Sequence, residues 1–83
     1  MNYPAVIAVS ALSNYHLRLE FANGETKRFD MNPFLGLGLF KELLENNLFQ
    51  TVKVSFDTIC WANDADIDPE TLYEGGVSEN NFQ

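Results

Sequence analysis

Three aspartates at alternating positions, Asp64, Asp66 and Asp68, follow the only tryptophan, Trp61, within the run 60–73. Closely spaced carboxylates are the ligands that hard cations prefer, so calcium is the first chemistry to test. An EF-hand loop needs oxygen ligands at its first, third and fifth positions, Gly at the sixth and Glu at the twelfth. Counted from Asp64, the sixth residue is Pro69 and the twelfth is Gly75, and both fail. A cation site of another kind stays open, against solvated loop and capping carboxylates. His16 is the only His and Cys60 the only Cys, so a metal site of the zinc type lacks ligands. A Cys60–His16 nucleophilic pair needs the fold to bring the two together. Otherwise Cys60 reads as a small buried hydrophobe beside Ile59. Gly36-Leu37-Gly38 lacks the Lys and the preceding strand of a phosphate-binding loop. No catalytic, metal-binding or cofactor-binding residue is therefore expected, and no cofactor.

What remains is chemistry of contact. Trp61 is either a core ring or a half-exposed anchor beside an acidic loop, a position where Trp is over-represented at interfaces. Tyr73 poses the same choice. Phe34, Leu35, Leu37, Leu39 and Phe40 carry more apolar surface than one short helix hides. The candidate partner contacts are thus Trp61, Asp64, Asp66, Tyr73, Phe34 and Leu37. A chain of 83 residues makes one small domain with a modest core. Covering such a stripe with a second subunit or another small protein would add stability.

Charge narrows the partner. Residues 1–56 hold five basic and five acidic groups, whereas 57–83 hold seven acidic groups and no Lys or Arg, so the net −7 resides in the last third. Nucleic-acid binding draws on Lys and Arg displacing counterions, so direct DNA or RNA binding is not expected. A basic partner protein, masked in the manner of an antitoxin, is an alternative occupant. No apolar run approaches the 18 residues of a membrane helix. The start Met1-Asn2-Tyr3-Pro4 lacks the basic flank of a signal peptide. With one Cys, a cytoplasmic protein is expected.

The elements that must position these residues follow from periodicity. Residues 5–12 are apolar and β-branched, a first strand. In 15–21, Tyr15, Leu17, Leu19 and Phe21 alternate with His16, Arg18 and Glu20, a strand with one wet face. Asn23 and Gly24 signal a hairpin, and 25–31 return as a third strand. Asn32-Pro33 breaks the sheet. A helix is expected over 38–46, with Leu39, Phe40, Leu43 and Leu44 on one stripe and Asn46-Asn47 as its stop. Residues 49–56 and 58–61 form a second hairpin turning at Asp57-Thr58. Asp68-Pro69-Glu70 opens a last helical turn. The expected fold is α+β: an antiparallel three-strand meander, a helix, a second β-hairpin and a short C-terminal helical turn. Residues 1–76 form the single domain, and 77–83 are expected to be a disordered polar tail.

These blocks resemble the small prokaryotic proteins grouped as domain of unknown function 2442. The resemblance rests on residues 15–21, Asn23-Gly24-Glu25, Phe29-Asp30-Met31, Gly38-Leu39-Phe40 with Leu43, and Phe49 with Val52-Lys53-Val54. Its most specific part is Ile59-Cys60-Trp61 running into residues 66–73. It implies a compact α+β domain and brings no activity, cofactor or catalytic residue. Some relatives continue into a helix-turn-helix domain, which this chain is expected to lack; others are encoded beside a second short protein. The expectation is a non-enzymatic interaction module, a homo-oligomer or the partner of a second small protein. A small enzyme or ligand binder using a pocket around Trp61, Asp66 and His16 is the competing class.

Overall fold

The computed structural model describes residues 3–79. The first three strands form the expected antiparallel meander: β1 (Val6–Ala11), β2 (His16–Phe21) and β3 (Thr26–Asp30). Alternation in β2 buries Leu17, Leu19 and Phe21 and leaves Arg18 and Glu20 in water. The β2–β3 loop closes through the Gly24 N–H donating to the Phe21 carbonyl, 3.0 Å. Of its residues only Gly24 is left-handed, at φ +91°, so this is the longer hairpin loop rather than a two-residue Asn-Gly turn. A bulge between Val6 and Ala8 turns the Ile7 side chain out to solvent.

The second sheet is separate. It comprises β4 (Lys53–Ser55), β5 (Thr58–Cys60) and β6 (Asp66–Ile67), all antiparallel. The expected strand over 49–56 is shorter because Phe49 is drawn into the core from a 3-10 turn, Leu48–Thr51. The hairpin turn also lies one residue earlier than expected: Ser55 pairs with Thr58, which leaves Phe56 and Asp57 as the turn. The acidic run enters this sheet at its end, where Asp66 pairs with Cys60 and Ile67 with Ile59. The Val6 N–H donates to the Asp57 carbonyl at 3.1 Å and ties the two sheets together.

The segment expected as an α-helix over 38–46 is a 3-10 helix, Gly38–Leu44. Gly38 enters with φ +50°, and the residue before it, Leu37, is extended and offers no side-chain cap. The tighter winding changes which residues share a face. With three residues per turn, i and i+3 align, so Phe40 and Leu43 turn inward while Leu39 and Leu44 are exposed. Asn46 and Asn47 end it in left-handed conformations, φ +54° and +58°, as their chemistry favours.

After β6 comes α1 (Pro69–Gly75), then β7 (Val77–Ser78), which extends the first sheet to the order β1-β2-β3-β7. Residues 77 and 78 are therefore not tail: Val77 pairs with Arg28 and Ser78 with Lys27. Arg18 and Glu79 form an ion pair at 3.2 Å. The rest of the expected tail, 80–83, lies outside the described residues. Both sheets, the 3-10 segment and α1 contribute to one core, including Leu17, Phe21, Met31, Leu43, Ile59, Trp61 and Leu72.

Lys27 occupies a core-facing register position, opposite Leu19. Its ammonium escapes by lying 3.7 Å from the centre of the Tyr73 ring and donating to the Tyr73 carbonyl at 2.5 Å. That close approach of α1 to β3 needs bare backbone. A Cβ at Gly75 would stand 2.8 Å from Cε1 of Phe29. Gly75→Ala is expected to destabilise the fold by about 1–3 kcal/mol, read from the midpoint of urea unfolding.

Candidate functional site

The run that begins at Trp61 is organised by burial. The indole is 1% exposed. Its N–H donates to the Phe49 carbonyl at 3.1 Å, and its ring meets Phe49 and Phe40, each with centroids 6.2 Å apart. Trp61 is thus a core ring, and its candidacy as an exposed partner contact is corrected: an apolar ring this large has more to gain inside a small core than at its rim.

From Trp61 the chain turns back sharply. The Asp64 N–H donates to the Trp61 carbonyl, and the Trp61 N–H donates to the Ala65 carbonyl, both at 2.9 Å. Asn63 holds this turn against the 3-10 segment. Its Oδ1 accepts the Ala65 N–H at 3.1 Å, a local Asn turn, and its Nδ2 donates to the Leu39 carbonyl at 3.2 Å and to Glu42 Oε1 at 3.0 Å. Asn63 is not a residue that composition or periodicity singles out. The only local signal is an Asn two residues before a backbone N–H in a turn.

The clamp brings two distant parts of the chain face to face. Leu37, Leu39 and Phe40 stand on one side, and Asp64, Ala65 and Asp66 on the other, of an open depression of about 320 Å³. Leu37 is 58% and Leu39 50% exposed. Both aspartates are exposed, and neither carboxylate has an ion pair or hydrogen bond among the described residues. Of the six candidate contacts, the fold unites Leu37, Asp64 and Asp66. Phe34 stands one layer back, half-buried, stacked on Phe29 at 5.7 Å and edge-on to Phe40 at 6.2 Å. Its role is to support Phe40.

Tyr73 lies elsewhere, packed edge-on to Phe21 with Lys27 over its ring, and its hydroxyl donates to the Glu25 carboxylate. That bond, helped by the Asn23 amide, holds the Glu25 carboxyl below its usual range, and Glu25 in turn pushes the Tyr73 phenol up. The depressed Glu25 adds stability above the ordinary carboxylate range that is lost as pH falls through its lowered value. The raised Tyr73 adds stability below the ordinary phenol range that is lost as pH rises through its raised value.

His16 and Cys60 sit in different sheets. His16 Nε2 is 3.5 Å from Asp30, whose carboxyl is held low mainly by the Asn32 backbone N–H and then by the Asn32 amide. Cys60 lies between Lys53 and Asp66 in register. No hydrogen bond joins His16 to Cys60 among the described residues, and the depression holding Asp66 is lined by neither Trp61 nor His16. Among the described residues no three His, Cys, Asp or Glu side chains converge as a metal site, and no helix is long and apolar enough to cross a membrane.

Residues 6–78 match the model of a family described as protein of unknown function, DUF2442. The chain belongs to the DUF2442 family. No curated protein and no solved structure shows significant similarity to it. For this DUF2442 domain the matched span runs from β1 to β7, so it includes both walls of the depression.

Two substitutions check this geometry. Tyr73→Phe is expected to let Glu25 titrate closer to the ordinary carboxylate range by NMR; an unchanged titration would refute the bond. Asn63→Ala is expected to cost about 1 kcal/mol and to speed amide exchange at Ala65.

Proposed function

We propose that this DUF2442 protein is a non-enzymatic protein-interaction module whose contact surface is the depression. The observation that carries this reading is the pairing of exposed Leu37 and Leu39 with the carboxylates of Asp64 and Asp66, which have no partner among the described residues. An apolar wall bordered by charge suits a protein interface, in which burial drives binding and charge sets orientation. The partner is a second copy or another small protein. A basic partner is the second reading, supported by the run from Asp57 to Glu79 that holds seven acidic groups and no Lys or Arg. Such a run also disfavours nucleic acid and anionic membrane surfaces. We assign no cofactor, and we place the protein in the cytoplasm, where its single Cys remains reduced.

The test is light scattering across concentrations, with and without proteins co-purified from the native host. Mass above that of a monomer, or a retained partner, is expected. Leu37→Glu is expected to weaken that contact at least ~10-fold with the melting temperature unchanged. A chain that stays monomeric and retains nothing would count against the reading.

A further inference from the structure

The β4–β5 turn carries a second anomaly. Phe56 is 98% exposed. It is also left-handed, with φ +56°. A bulky residue is a genuine outlier there, and Asn, Asp or Gly would fill a tight hairpin turn at lower cost. Neither the exposure nor the backbone conformation is explained by packing within one copy. An observed outlier of this kind is a starting point for a functional hypothesis.

The tip is also held in place. Ser55 pairs with Thr58 across the turn, and the Asp57 carbonyl accepts the Val6 N–H. The Thr58 hydroxyl donates to the Ile67 carbonyl at 2.5 Å. A ring presented on a fixed hairpin loses little freedom on binding.

We propose that Phe56 of one copy inserts into the depression of a second copy. This rests on the reading of that depression as a protein-binding surface. The fit is one of size, chemistry and charge. An apolar cavity of about 150 Å³ accepts a benzene ring, so a depression of about 320 Å³ has room for the Phe56 side chain. Leu37, Leu39 and Phe40 supply apolar and aromatic contact. Lys53, three residues before Phe56, is exposed and has no ion pair among the described residues. It matches the open carboxylates of Asp64 and Asp66. Lys53 and Asp57 together leave the hairpin 53–60 neutral, and so less repelled by an acidic rim than the rest of the acidic third. Knob and hole are different surfaces, so two copies engage reciprocally as a closed pair, or many engage head to tail.

The experiment is sedimentation velocity from about 10 µM to about 1 mM on four samples: the unaltered chain, Phe56→Asn, Leu37→Glu, and a 1:1 mixture of the two variants. The unaltered chain is expected to associate with rising concentration. Each variant alone is expected to do so at least ~10-fold more weakly. The mixture is expected to recover a pair, because one variant keeps its hole and the other its knob. A melt of dilute Phe56→Asn separates lost contact from lost fold: its Tm is expected to rise by about 5 °C as the strained turn relaxes. Three results would overturn the inference: an unaltered chain that is monomeric throughout, Phe56→Asn associating like the unaltered chain, or a mixture that stays monomeric. If only Leu37→Glu disrupts association, the depression remains a binding surface and Phe56 is not its occupant.

Discussion

Burial of Trp61 is the constraint on which the second half of the molecule depends. Its ring joins Phe49 and Phe40, which come from two different 3-10 segments, and its indole N–H is satisfied by the Phe49 carbonyl. A buried indole without that acceptor would cost free energy, so the 48–51 turn is held where the carbonyl can serve it. The next residues must then reverse direction at once to leave the core. That reversal is what puts Asp64 and Asp66 beside Leu37 and Leu39. The largest ring of the acidic run is therefore core, yet it positions the carboxylates that face solvent.

The same half of the chain leaves apolar side chains outside. A 3-10 segment aligns i with i+3, and Phe40 and Leu43 use up its inward face. Leu39 and Leu44 have no place in the core, and Leu37 belongs to the extended residue that precedes the segment. Phe56 is exposed for a separate reason, its place in a two-residue turn. At the other end of the molecule the packing is tighter. There Gly75 and Gly76 let α1 and β7 close over Lys27, and Tyr73 joins the cation beneath it to the Glu25 carboxylate. Polar contacts thus bind Tyr73 of α1 to the β2–β3 hairpin, whereas the exposed leucines gather around the 3-10 segment.

Much of the architecture was legible in the residue pattern. The alternation in 15–21, the hairpin glycine and the Asp68-Pro69-Glu70 helix start all appear where the pattern places them. Trp61, Asp64 and Asp66 were visible as an unusual run, but their division into one core ring and two exposed carboxylates was not. Burial depends on what lies across from a residue, and Phe49 and Phe40 come from remote turns. Tyr73 reads as core sooner than contact, and Lys27 and Glu25 are what hold it. Strand β7 hid in a polar stretch because two residues paired at a sheet edge carry no period of their own.

What the sequence by itself determined was local: strand faces, turn positions to within a residue, the start of α1, the family, and an acidic last third. These depend on periods of two or three residues and on side chains that act on their own backbone. Tertiary structure alone decided the 3-10 winding of Gly38–Leu44, the burial of Trp61 and the meeting of Leu37 with Asp66. Each of those is settled by competition for a small core between segments far apart in the chain, and a local pattern holds no record of which segment wins.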